Sequence, residues 1–305
     1  MKICFAIFLF SIAPFLLIGI INKTKAIWAG HVGAPIWQPF YDFFKLLRKG
    51  EVISKTTSFV FRLAPAVNIA AIIFAALTIP LPQQKAILSF PADFVLFAYS
   101  LGFARFLLVA AAMDTGSSFE GMGAAREVTF ASVVEPAFFV LLGTLAMVTG
   151  QDSFDTIFAS LNYSAGFSVL VKSLGAIALF IMILVEGSRL PVDDPNTHLE
   201  LTMIHEVMIL DYSGPDLAFM QYAVSLKMVL IMTLLANLLV PPGFGLLPGT
   251  IFYLALFMIM ALAIASVESL MARLRMSHVP QFIFLMTALA LTAFAIVLFF
   301  RYGGI

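Results

Sequence analysis

The sequence predicts an all-α integral membrane protein, with about eight transmembrane helices and one interfacial amphipathic helix. Three observations carry that expectation. Of the 305 residues, 62% are hydrophobic and 11% charged, and the mean hydropathy is +1.04, which leaves too little polar surface to cover a water-soluble globule. Apolar runs of roughly 18 residues or more, the length that crosses a bilayer, occur at 3–22, 64–82, 92–113, 128–149, 168–186, 222–240, 250–271 and 280–300. The basic residues segregate as well. Lys23, Lys25, Lys45, Arg48, Lys49, Lys55, Arg62, Arg126, Arg189, Arg273 and Arg275 fall in the odd-numbered connections, against Lys2, Lys85, Lys172 and Arg301 on the other side.

Lys and Arg are retained on the cytoplasmic side of a membrane, so both termini are expected to face away from the cytoplasm. No soluble domain or long internal repeat is visible. The chain is therefore read as a single transmembrane domain, 1–305, with an interfacial segment at 29–62 and an acidic cytoplasmic loop at 187–221. A stand-alone transporter is disfavoured, because the spans show no repeated halves.

Taken in order, the first run lacks a small-residue cleavage site after it and is expected to be a retained span. Trp37, Phe40, Tyr41, Phe44 and Leu47 then recur at spacings of three and four, with Asp42, Lys45, Arg48 and Lys49 between them. That pattern is an amphipathic helix lying along the interface. It serves either as a lipid-surface anchor or as the wall of a cavity opening towards the membrane.

The third span carries Arg105 and leads into Met113 to Glu127, read as a polar turn. Gly121 and Gly123 do not make a nucleotide loop: the third glycine is missing and no strand precedes them. Asp114, Glu120, Arg126 and Glu127 put two signs of charge close together at the membrane edge, where Asp114 and Glu120 either close the loop in a local salt-bridge cluster or take a transport role.

Glu135 lies inside the fourth span and is followed by Pro136, which lacks an amide hydrogen and frees the Ser132 carbonyl. A carboxylate isolated at that depth tends to take up a proton. It is either a relay group or a protonated structural acid bonded to a neighbouring helix.

The stretch Glu186 to Asp216 holds seven of the seventeen acidic residues: Glu186, Asp193, Asp194, Glu200, Glu206, Asp211 and Asp216. Glu186 and Arg189 are three apart, a spacing that pairs side chains on one helix face. Pro191 and Pro195 place Asp193 and Asp194 on irregular backbone, which at membrane depth is tolerated only inside protein or beside water. Thr197 to Leu210 is expected to resume as a helix. His205 and Glu206 begin an H-E pair, but position 209 is Ile, so the zinc-protease pattern fails and no metal is expected. The loop acts either as an ion path or as a docking surface for a soluble partner. Lys227, about a turn inside the sixth span, either snorkels to the interface or balances a loop acid.

Cysteine and histidine usage excludes an iron–sulfur cluster and argues against a haem held by this chain. Cys4 stands alone, so the chain forms no internal disulfide and supplies no iron–sulfur ligand set. His31, His198, His205 and His278 lie in or beside the connections, where they cannot clamp a haem between two spans. Electron carriers belong to other subunits.

These residues resemble the membrane subunit 1 of respiratory NADH dehydrogenase (complex I), and more closely its counterparts in membrane-bound nickel–iron hydrogenases and formate hydrogenlyase. The resemblance covers nearly the whole chain. Glu186, Arg189, Pro191, Asp193, Glu200 and Tyr212-Ser213-Gly214 match the family's loop after the fifth span; Gln38-Pro39, Asp42 and Lys45 look like its first amphipathic helix. Arg126 with Glu135 is similar to its third connection and fourth span. The hydrogenase branch is favoured by PVDDPNTHLELTMIHE, with Asp114-Thr115-Gly116-Ser117, Arg126-Glu127 and Arg62-Leu63-Ala64-Pro65 in support. Asn196 and His198 depart from the respiratory branch, where acids are common nearby; His198 can itself carry a proton near neutral pH.

The resemblance implies a membrane foot that anchors a soluble electron-transfer arm and couples redox chemistry to proton or sodium movement, in a bacterial or archaeal cytoplasmic membrane. The implied partners are hydrogenase-like large and small subunits with a nickel–iron centre, a ferredoxin-like iron–sulfur subunit and antiporter-like membrane subunits, with no nucleic acid. Glu135, Glu186, Asp193, Glu200, Glu206 and His198 are the expected relay, with Arg126, Arg189, Lys227 and Arg105 as charge partners. Gln38, Asp42, Lys45, Asp114, Glu120, Asp211 and Tyr212 are expected on a cavity wall or docking surface. A quinone site and a non-pumping anchor are the alternative readings.

Overall fold

The computed structural model describes residues 2–81, 84–161, 166–193, 203–241, 243 and 245–302. Asp194, His198 and Glu200 lie outside them. Eight helices are long and apolar enough to cross a membrane: α1 (Lys2–Trp28), α3 (Phe59–Ala76), α4 (Asp93–Asp114), α5 (Ser118–Thr149), α7 (Gly166–Glu186), α9 (Gly214–Leu239), α10 (Leu246–Leu270) and α11 (Val279–Tyr302). Three short helices join them: α2 (Gln38–Leu47), α6 (Phe154–Ser160) and α8 (His205–Met208). No strand occurs among the described residues.

Packing follows apolarity. A helix that is hydrophobic all round belongs inside, and α9 is the most enclosed span, packed against α1, α3 and α7. Around it, α3 packs on α4, α4 on α5, α11 on α5 and α7, and α10 on α1. The outer faces of α10 and α11 expose Ile251, Leu254, Ile259, Phe284 and Leu291, side chains suited to lipid. Helix α2 buries no residue of its own; Phe40 and Phe43 meet Phe15 of α1 edge-on at 5.5 and 5.3 Å.

Alternation of the spans brings the odd-numbered connections to one end of the bundle, where they bond to each other. Ser58 N–H donates to Asp114 Oδ2 (2.6 Å), Asp211 N–H to Glu120 Oε1 (3.1 Å), and Leu274 N–H to the Pro191 carbonyl (3.1 Å). The other end is tied by Phe154 N–H to Asp93 Oδ1 (2.8 Å) and Arg301 to the Met147 carbonyl (2.9 Å).

The largest departure from the sequence expectation is α5. It starts at Ser118 rather than near 128, so most of the expected turn after Met113 is helix, and only Thr115 to Ser117 bends the chain. Of the glycines there, Gly123 serves close packing. A Cβ on Gly123 would sit 2.8 Å from Val207 Cγ1 and 2.9 Å from the Ile204 carbonyl, so α5 presses directly on the segment around α8. Helix α9 also starts early, at Gly214 with φ +56°, where a Cβ would lie 2.8 Å from the Gly50 carbonyl. Of the expected Thr197 to Leu210 helix, the described part is the single turn of α8.

A small second core fixes the acidic connection. Met208, Ile209 and Tyr212 pack with Phe61, Leu108, Ala112, Ala124 and Met220, drawn from α3, α4, α5 and α9. The Tyr212 ring stacks on Phe61 at 4.0 Å, and its hydroxyl donates to the Phe61 carbonyl (2.8 Å). One residue thus supplies both an aromatic contact and a satisfied buried polar group.

Candidate functional site

Arg105, on α4, organises a buried charge network. Its guanidinium contacts three carboxylates: Glu127 of α5 through Nε at 2.9 Å, Glu135 of α5 through Nη1, and Glu186 of α7 through Nη2. Lys227 of α9 reaches the second oxygen of Glu186 at 3.0 Å. Two cations thus face three carboxylates. A planar fork with five donors suits that multidentate role better than an ammonium. The Glu186 side chain is 4% exposed, whereas that of Glu135 is 45% exposed, so the network runs from the middle of the bundle to its outer face.

A second network lies beside it. Glu268 of α10, with a fully buried side chain, binds Lys25 of α1 at 2.7 Å and Arg189 at 3.5 Å. Asp193 accepts from the Ile204 and His205 N–H groups (3.3 and 3.0 Å) and lies 3.7 Å from Arg273. A gap of about 10 Å³ lined by Arg105, Glu127, Glu186 and Asp193 separates the two networks.

The expected pairing of Glu186 with Arg189 does not form. Helix α7 ends at Glu186, and the chain turns through Ser188 at φ +51°, with Arg189 N–H returning to the Leu184 carbonyl (2.9 Å). That turn carries Arg189 to Glu268 and leaves Glu186 to Arg105 and Lys227. The expected salt-bridge cluster of Asp114, Glu120, Arg126 and Glu127 is also dispersed. Asp114 caps the turn at Ser58, buried Glu120 accepts from Asp211, Arg126 donates to the Met203 carbonyl (3.0 Å), and Glu127 joins Arg105. Lys227 sits midway along α9 rather than one turn inside, which rules out snorkelling and makes it a partner of Glu186.

Between α1, α2, α9 and the acidic connection lies a cavity of about 330 Å³. Phe15, Phe43 and Tyr222 form its apolar wall; Gln38, Asp42, Arg189, His205 and Glu206 give it a polar end, with Gln38 Nε2 donating to Asp42 Oδ1 (2.8 Å). Lys45, expected on the same wall, does not line it. Burial, and then the neighbouring charge of Asp193, pushes the Glu206 carboxyl up to about 7. Burial, and then Lys227, pulls the His205 imidazole down to about 3, so the ring is neutral at physiological pH.

Glu127, His205, Lys25, Glu268 and Arg273 take places in the site that the sequence reading did not give them. For Glu268 a signal existed: it ends an apolar run just as Glu186 does. Glu127 and Glu135 come near one face of α5, a relation readable only once the helix is known to start at Ser118. Among the described residues, no cluster of three His, Cys, Asp or Glu side chains is placed to hold a metal ion.

The helix bundle, the connection held against α5, and the carboxylates gathered on Arg105 define a membrane subunit of the complex I type. The sequence matches the NADH dehydrogenase family over residues 1–299, and the chain belongs to that family, that of complex I subunit 1.

Among individual relatives, it is 30% identical to hydrogenase-4 component C of Escherichia coli (strain K12) over 238 residues, covering 78% of this chain and 74% of that one. It is 28% identical to formate hydrogenlyase subunit 4 of the same organism over 283 residues, covering 90% and 91%. Its fold is similar to a chain of the membrane-bound sulfane sulfur reductase, an archaeal respiratory membrane complex. The TM-score is 0.81 at 20% identity, covering 97% of each chain.

Proposed function

We propose that this chain is the membrane subunit of an energy-converting hydrogenase or formate hydrogenlyase-like complex. It anchors the soluble electron-transfer arm and couples electron transfer in neighbouring subunits to movement of protons or sodium ions. The observation that carries this reading is Arg105 bound to Glu127, Glu135 and Glu186, with Lys227 behind Glu186. In a low-dielectric interior, a change of charge on one such group is felt strongly by the next. Asp193, Arg189 and Glu206 carry the path towards the surface where a soluble arm would stand, together with Glu200 and His198 from the sequence. Glu135, half-exposed on α5, faces a membrane neighbour of the antiporter-like class.

The electron carriers, iron–sulfur clusters and a nickel–iron centre, are assigned to the soluble partners, since a single cysteine cannot supply their ligands. The acidic connection is placed on the cytoplasmic side of a bacterial or archaeal membrane, and both termini on the other, by the distribution of Lys and Arg. Purification in mild detergent with identification of the co-purifying chains tests the assignment. A nickel–iron large subunit in the complex supports it; a complex containing only NADH-oxidising subunits overturns it.

A second reading rests on the 330 Å³ cavity, whose aromatic wall and polar end would accommodate a quinone. Loss of turnover with a quinone-site inhibitor favours that reading, and full turnover in its presence removes it.

A further inference from the structure

His205 occupies a position that no pairing explains. The residue is 6% exposed, its backbone N–H is held by Asp193 at 3.0 Å, and its ring Nε2 is buried without a hydrogen-bond partner among the described residues. A buried polar atom left unsatisfied is costly and calls for a reason. The surroundings supply one, because His205 is a wall of two separate spaces. On one side is the 330 Å³ cavity with Glu206, Arg189, Gln38 and Asp42. On the other is a space of about 20 Å³ lined by Arg105, Glu127, Asn68 and Lys227. That smaller space is enough for about one water molecule, and its lining includes the cations that bind Glu186.

We propose that His205 is the proton carrier between the open cavity and the Arg105–Glu186–Lys227 network, one ring nitrogen serving each side through water. This rests on the coupling function proposed above and names its point of entry. The step balances without any co-reactant. One ring nitrogen takes a proton from a hydronium ion in the cavity, leaving water, as the other gives its proton through water to the Glu186 carboxylate, and the imidazole is neutral before and after with its tautomer exchanged. Return of the ring to its first tautomer completes the cycle. Neutral imidazole, with one donor and one acceptor nitrogen, is the side chain able to do this.

The charged groups around the ring fit the task. Burial, and then Lys227 from α9, disfavour a lasting imidazolium; Arg105 of α4 and Glu127 of α5 line the smaller space with the ring, Arg189 and Glu206 line the cavity with it, and Asp193 holds its backbone N–H.

The test uses the whole complex in sealed vesicles and measures ions moved per electron transferred for His205→Ala, with and without added imidazole, beside Glu186→Gln. Loss of His205 is expected to slow ion movement about 100-fold, the lower end of what a positioned proton-transfer group contributes to a rate, and so to lower the ratio as electron transfer continues without it. Imidazole, admitted through the cavity, is further expected to restore much of it. A wild-type ratio in H205A, or a loss that imidazole does not restore, overturns the inference. If H205A does not assemble, His205→Gln carries the comparison: it keeps the volume and one donor but cannot exchange tautomers, so a wild-type ratio in H205Q is equally fatal. A normal ratio in E186Q removes the coupling function itself, whereas loss in E186Q with a normal ratio in H205A removes only the role of His205.

Discussion

Arg105 and Glu186 stand 81 residues apart in sequence and meet inside the bundle, the guanidinium of α4 bound to the last residue of α7. The pair joins a helix that carries no loop chemistry to the point where the acidic connection begins. Glu127 and Glu135 share the same guanidinium, so a single cation holds α4, α5 and α7 in register.

Replacing Arg105 with Met leaves three carboxylates around an empty position. Removing one partner of a buried ion pair costs about 3–5 kcal/mol because the charge left behind has no compensation. R105M is expected to unfold at a clearly lower temperature in detergent, and R105M combined with Glu186→Gln to recover part of the loss. The two melting curves check this. Equal stability of R105M and the parent would mean that the guanidinium contacts contribute nothing.

Stability should depend on pH through Glu206. Its carboxyl, ordinarily at 4.5, is raised to about 7 in the fold, so the folded chain binds the proton more tightly than the unfolded chain. The resulting stabilisation is complete below 4.5 and is lost as pH rises through 7. His205 has the opposite sign: lowered from 6.5 to about 3, it makes stability increase with pH between those values and has no effect above them. Between pH 6.5 and 8 Glu206 loses its proton and His205 does not titrate in the fold, so the melting temperature of the parent falls there by more than that of Glu206→Gln. Parallel curves for the two proteins would contradict the assignment.

Glu268 anchors the acidic connection through Arg189 and anchors α1 through Lys25. Glu268→Ala removes the partner of both cations and should loosen residues 187–193. Hydrogen exchange at Val192 and Asp193, whose N–H groups bond to the Arg189 carbonyl, is expected to quicken by about ten-fold or more, equivalent to 1.4 kcal/mol of lost protection. Unchanged exchange would show that Arg189 is held by other contacts.

The spans were legible because apolar run length maps directly onto membrane thickness, and that Glu135 and Glu186 need partners was legible because an acid within an apolar run demands one. The pairings were not. Arg105 is expected among the charge partners, but nothing in the local spacing ties it to Glu186 across 81 positions. The Glu186–Arg189 spacing pointed to a helical pair, yet helix spacing applies only while the helix continues, and α7 stops at Glu186. The start of α5 was hidden for the opposite reason. Its first turns carry glycines and charges that resemble a turn, and they are helical because Gly123 lets the backbone pack on Val207 and Ile204. The interfacial helix was readable from its aromatic spacing; the cavity it borders required the placement of α1, α9 and the connection together.

Glu186, enclosed between Arg105 and Lys227, lies at the centre of the proposed path of ionisation between carboxylates inside the bundle. The most direct measurement is the number of ions moved per electron transferred by the purified complex in sealed vesicles, compared between the parent and Glu186→Gln with equal assembly. The ratio is expected to collapse in E186Q; an unchanged ratio would overturn the proposed coupling.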